Sequence, residues 1–272
     1  MPTVPPADQP PMASELHRQR QMAESFGTDA ERYDRARPRY PQALIERIIA
    51  ESPGPEVLDV GSGTGIVGRQ LQDGGCRVLG VEPDGRMAAV GRQFGLPAEE
   101  AKLESWDPAG RMFDAVAAGQ SWHWVNPADG AAVAAQVLRP GGLFVAFWNG
   151  GQPPADLAQT FAAITRSLVP DLPGTGRPVD VVDAYTKMCD SAAAGLREAG
   201  GFGESERWRY DWDFAYSKEA WLDQLPTLGL FTRLPPDKLT ELLKAVGDAI
   251  DEAGGSFTVR FSTMAVAAHR LA

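Results

Sequence analysis

Two carboxylates and a run of glycines carry the clearest chemical signal in this chain. Asp59 stands two residues ahead of the turn Gly61-Ser62-Gly63-Thr64-Gly65, and Glu82 closes the next apolar run, 82 − 61 = 21 residues after the first glycine. Glycines permit tight turns, let a ligand approach the main chain, and place it near a helix N-terminus. A carboxylate about 20 residues further on accepts hydrogen bonds from a ribose diol. The pattern therefore points to an adenosine-containing cofactor. It leaves two open, because Gly63, Gly65 and Gly68 also satisfy the G-x-G-x-x-G spacing of dinucleotide binding.

Asp59 separates the two. Beside the turn it would face the doubly negative pyrophosphate of a dinucleotide, which is repulsive. S-adenosylmethionine has no phosphate and brings a sulfonium and an ammonium to the same place. A second group of candidates follows at 119–124, GQSWHW. His123 titrates near neutral pH and is the first candidate for a general base, although a histidine between two tryptophans also packs as wall. Trp122 and Trp124 are expected to line the acceptor, and Asn149 to hydrogen-bond it. In the segment 25–41, Tyr33 and Tyr40 are second candidates for proton removal, and Arg37 and Tyr40 for cofactor or acceptor contact. Arg35 and Arg39 there read as structural, in ion pairs with Glu31 and Asp34.

These residues need a scaffold that brings strand ends together. A helix is expected over 14–23 and another over 41–52, followed by strands at 57–60 and 77–82, 113–119 and 141–149, alternating with helices. Such alternation predicts a parallel sheet with helices on both faces, ligands binding at the carboxyl ends of its strands. Later segments read as helices, with strands at 207–214 and 256–270. In the first of these, Trp208, Tyr210, Trp212 and Phe214 share one face and are expected in the core.

Composition narrows the partners. The chain has 272 residues, 26 basic against 36 acidic, a formal charge of −10, which argues against nucleic acid or an anionic membrane as partner. Two cysteines and three histidines without ligand spacing make a metal site unexpected and suit a reduced, cytoplasmic setting. The proline-rich residues 1–13 lack signal-peptide character and read as a disordered tip.

With "VLDVGSGTG", "VLGVEPD", "SFGTDAERYDRARPRYP", "FDAVAAGQSWHWVNP", "VLRPGGLFVAFWN" and "FSTMAVAAHR" in this order, residues 25–269 resemble the class I S-adenosylmethionine-dependent methyltransferases, and more narrowly their small-molecule, trans-aconitate-type branch. The resemblance implies a Rossmann-like, doubly wound α/β fold with a seven-stranded, mostly parallel sheet whose last strand is antiparallel. One domain over 14–272 is then expected: an N-terminal lid to 52, a cofactor-binding core over 53–150, a helical cap over 151–205, and last strands and helices over 206–272. It implies that Asp59, Gly61, Ser62, Gly63 and Gly65 cradle the methionine part, with Gly119, Gln120 and Arg37 beside the cofactor. Glu82 would hold the ribose, and Pro83 or Met87 the adenine. Lys102 stands where relatives often carry the acid that meets the adenine amino group, so Leu103 backbone or Glu104 takes that task. The implied activity is methyl transfer to a small-molecule acceptor at O, N or C, slightly favouring a carboxylate or hydroxyl. The alternatives are an NAD(P)-dependent oxidoreductase and a non-catalytic cofactor-binding protein.

Overall fold

The computed structural model describes residues 26–170, 172 and 181–272; the expected tip at 1–13 and helix at 14–23 lie outside them. Seven strands, β1 (Glu56–Val60), β2 (Arg77–Glu82), β3 (Ala98–Glu100), β4 (Phe113–Gly119), β5 (Leu138–Gln152), β6 (Glu206–Ser217) and β7 (Ser256–His269), form one sheet in the order β3-β2-β1-β4-β5-β7-β6. The first five run parallel, whereas β7 is antiparallel to both neighbours. The helices are α1 (Ala30–Ala36), α2 (Gln42–Glu51), α3 (Ile66–Asp73), α4 (Gly85–Gln93), α5 (Pro127–Val137), α6 (Ala155–Leu168), α7 (Val181–Ala199), α8 (Lys218–Gln224) and α9 (Pro236–Glu252).

The central strands are apolar throughout because both faces are covered: all of β4 but its last residue is buried. Leu44, Ile45 and Ile48 of α2, with Val67 and Leu71 of α3, pack on one face. Ala131, Ala134 and Val137 of α5, with Cys189, Ala192 and Leu196 of α7, cover the other. Strand order reverses between β1 and β4, so a crevice opens at their carboxyl ends. Local chemistry sets the boundaries there: Asp84 caps α4, Asn126 caps α5 from just ahead of Pro127, and Gly65, at φ +87, starts α3.

Two expectations change, and one strand goes unannounced. β3, three residues of sequence AEE, carries no apolar pattern and was not legible as a strand. Of the row expected in the core, only Trp208, 3% exposed, is buried, while Phe214 is 41% exposed, because β6 is an edge strand whose middle is only partly overlaid. Among the described residues of 151–205, α6 and α7 pack in different places. The apolar face of α7 lies on the sheet, whereas Phe161 and Ile164 of α6 join Trp221 of α8 and Leu242, Val246 and Ile250 of α9 around the far ends of β6 and β7.

Candidate functional site

At the crevice the chain leaves β1 through Gly61 (φ +62) and Gly63 (φ +55). A Cβ on Gly61 would run into the Ser121 side chain, whose hydroxyl in turn donates to Val60 O at 2.5 Å, so the exits of β1 and β4 meet without room for a side chain. The Gly63 N–H donates to Glu82 Oε2 at 2.8 Å, and the Asp84 N–H to Glu82 Oε1 at 2.9 Å. Glu82 thus braces the turn at the end of β2, with lone pairs left for a ligand.

Both carboxyls are buried, Asp59 at 1% and Glu82 at 8% exposure. Burial pushes the Asp59 carboxyl up to about 8, the Gly68 N–H opposing and nearby Glu82 adding to the rise. Burial likewise lifts Glu82 to about 7 against the N–H groups of Asp84 and Gly63. Asp59 Oδ2 has no hydrogen-bond partner. Two buried acids at one turn, one with an unpartnered oxygen, create a site that gains from a cationic ligand.

A cavity of about 710 Å³ runs along Glu82, Pro83, Met87, Lys102, Leu103 and Glu104, and continues past Ser121, His123 and Trp124. A second, of about 250 Å³, is lined by Asp59, Ser62, Asn149, Tyr185, Trp221 and Gln224. Tyr33, Arg37, Gly61, Gly63, Gly119 and Gln120 line both. Gln120 holds φ +56, unusual for a residue with a side chain, and donates from Nε2 to Asn149 O at 3.2 Å. Thr263 donates to Asn149 Oδ1 at 2.6 Å, which leaves the Asn149 amide hydrogens for the cavity.

The lid is tied to the turn by a group of residues that no local pattern announces. Asp34 of α1, 5% exposed, accepts from Thr64 Oγ1 at 2.8 Å, pairs with Arg69 of α3, and takes Arg39 at 3.3 Å, the ion pair expected from sequence. Arg37 donates to Thr227 O at 2.6 Å with its guanidinium 4.8 Å from the Tyr33 ring centre. Arg35 pairs with Asp223 rather than with Glu31.

Residues 58–146 match the family model described as a methyltransferase domain. Residues 58–146, from β1 into β5, are thus similar to a methyltransferase domain. Uncharacterized methyltransferases of Mycobacterium tuberculosis and Mycobacterium bovis are 38% identical to this chain over 138 residues, which cover 48% of it and 54% of each relative; the chain thus spans about half the length of the curated relatives it matches. In fold it is similar to a candidate type II methyltransferase from Anaeromyxobacter dehalogenans, at a TM-score of 0.61 and 24% identity over 86% of this chain and 98% of that one. The cofactor of such a domain is S-adenosylmethionine, and the site has the donor set for it: paired buried carboxylates, one with an unpartnered oxygen, and two turn glycines bordering both cavities.

Several residues expected at the methyltransferase site serve elsewhere. Gly65 lines neither cavity; a Cβ there would press on Leu96 at 3.0 Å, so its lack of a side chain lets the start of α3 pack on the loop after α4. Trp122, 2% exposed, packs edge-to-face on Phe144 in the core and lines neither of these two cavities. Trp124 sits in the larger cavity against Phe26, at a ring distance of 6.3 Å. Tyr40 lines the smaller cavity, but burial raises its hydroxyl well above the usual range, which removes it as a proton acceptor. Tyr185, Trp221, Gln224 and Leu228 border the site unannounced, since they lie on helices and turns with no motif.

His123 is corrected for a different reason. Its Nδ1 accepts a hydrogen bond from Trp148 Nε1 at 3.0 Å, and burial lowers its pKa to about 4. A neutral ring with an occupied Nδ1 lone pair carries its proton on Nε2, so it has no lone pair to offer a substrate. The pH–rate profile of turnover is therefore expected to show no His123 ionisation near 6.5. His123→Ala should cost about 1–3 kcal/mol of stability, because the buried Trp148 N–H loses its acceptor; thermal melts check this.

Proposed function

We propose that the chain transfers a methyl group from S-adenosylmethionine to an oxygen, nitrogen or carbon atom of a small-molecule acceptor, with a carboxylate or hydroxyl acceptor favoured. The observation that carries this is that the two cavities adjoin, sharing Gly61, Gly63, Gly119 and Gln120 in their walls. One end supplies Glu82 and apolar walls fit for a nucleoside. The other supplies Asn149, Tyr185, Gln224 and Arg37, fit for a small polar molecule.

When bound, the cofactor supplies a methyl group on a positively charged sulfur that departs as a neutral thioether. The chain's own residues do the rest. Glu82 accepts the ribose hydroxyls, while Pro83, Met87 and Leu103 flank the adenine and Glu104 or adjacent backbone takes its amino group. Asp59 faces the cationic end beside Ser62. Arg37 offers its guanidinium to a carboxylate of cofactor or acceptor, and Asn149 offers its amide hydrogens. The lid, tied down through Asp34 and Arg37, excludes water, so most of the acceleration comes from holding two reactants in line. A carboxylate acceptor needs no base; for a hydroxyl, Tyr33, which borders both cavities, is the candidate left.

The net charge of −10 supports a small molecule rather than nucleic acid as partner, and two free, buried cysteines suit a reducing, cytoplasmic setting. Among the described residues no helix is long and apolar enough to cross a membrane. The test is incubation with methyl-labelled S-adenosylmethionine and pools of small carboxylic acids, phenols and amines. Label is expected in a small-molecule product. Label that stays on the cofactor with every pool contradicts the assignment.

A further inference from the structure

β6 ends the sheet, and among the described residues no strand pairs with its outer edge. An open edge of twelve residues is a template for another strand, and proteins commonly blunt such edges with lysine, proline or a bulge. β6 contains neither residue and pairs with β7 in unbroken register.

Its sequence is antisymmetric in charge about Tyr210. Arg209 mirrors Asp211, Arg207 mirrors Asp213, and Trp208 mirrors Trp212. The four charged residues share one face and are all exposed, while the aromatic residues share the other. Within the chain their contacts lie at the surface: Arg207 pairs with Asp190 at 2.7 Å, Arg209 with Asp211 at 3.0 Å, Ser262 donates to Asp211 at 2.6 Å, and Asp213 lies opposite Arg260 on β7.

We propose that β6 pairs antiparallel with β6 of a second copy of this chain, the two-fold axis passing through Tyr210 and joining two seven-stranded sheets into one. A two-fold contact between identical strands must be self-complementary, and this sequence is. In that register Arg209 lies opposite the partner's Asp211, and Arg207 opposite the partner's Asp213. Asp213 then stands between two bases, since it already has Arg260 on its other side. Tryptophan meets tryptophan on the opposite face.

The charges also fix the register. A slip by two residues in one direction puts Arg209 against the partner's Arg209, and in the other puts Asp211 against the partner's Asp211. Like charges directly opposite are destabilising. A slip by one residue sets the charged face of one copy beside the aromatic face of the other.

Sedimentation velocity of the full chain across micromolar concentrations tests this, with circular dichroism melts to confirm that each variant folds. The wild-type chain is expected at twice the monomer mass, weakening as salt shortens the screening length from about 10 Å at 0.1 M to about 3 Å at 1 M. Arg209→Asp and Asp211→Arg should each be monomeric, because each sets like charges across the axis. Mixed in equal amounts they should form a dimer, since the acidic edge of one then complements the basic edge of the other. A monomeric wild-type chain, a dimeric Arg209→Asp chain, or a mixture that stays monomeric would each overturn the proposal.

Discussion

Glu82→Ala is expected to lower the affinity for S-adenosylhomocysteine by tenfold to a hundredfold, about 1.4 to 2.7 kcal/mol. The carboxylate has two tasks at once. Its oxygens hold the Gly63 and Asp84 N–H groups at 2.8 and 2.9 Å, fixing the turn, and their remaining lone pairs face the cavity where a ribose diol is proposed to sit. Removal loses the ligand contact and frees the turn to relax. Glu82→Gln should lose less than the alanine variant, because the amide oxygen keeps one backbone bond while its NH₂ opposes the other N–H. Calorimetric titration of the three proteins measures the series, and equal affinity in all of them would remove Glu82 from the site.

The second large effect is on pH. In the ligand-free chain Asp59 titrates at about 8 and Glu82 at about 7, so near neutral pH the first is mostly protonated and the second about half so. A ligand bearing an ammonium or sulfonium binds the ionised form. Affinity should therefore rise by about tenfold or more from pH 6 to pH 7.5, with protons released on binding. Calorimetry in buffers of different ionisation enthalpy counts those protons. Asp59→Asn should flatten the profile, and adenosine, which lacks the cationic end, should show the weaker dependence that Glu82 alone supplies. Affinity independent of pH would mean that neither acid meets the ligand.

The same shifts set the sign for stability. Both carboxyls hold their protons more tightly in the folded chain than in the unfolded one, where carboxyls titrate near 4. At these two groups the native state then binds more protons between about pH 4 and pH 8, so their contribution to ligand-free stability is greatest below that window and falls as pH rises through it. A bound cation offsets the loss.

Much of this was legible in the sequence because the cofactor side is compact in the chain. Asp59, the glycine turn and Glu82 fall within 24 residues, and each strand around them is a short apolar run closed by turn residues. The acceptor side is assembled differently. Asn149, Tyr185, Trp221 and Gln224 come from β5, α7 and α8, and only the first ends a strand that the sequence announces. The misread residues share a cause. Gly65 looks like its neighbours but turns its missing side chain toward Leu96, and the tautomer of His123 is decided by Trp148, 25 residues away. β3 has no apolar pattern because all three of its side chains remain at least partly exposed.

The most direct measurement is calorimetric titration of the full chain with S-adenosylhomocysteine, with NADH as the control ligand. Micromolar binding of the nucleoside and none of the dinucleotide is predicted above about pH 8, where Asp59, buried beside the turn with an unpartnered oxygen, is ionised and opposes a pyrophosphate. Binding of NADH in its place, or of neither, would contradict the assignment of this site.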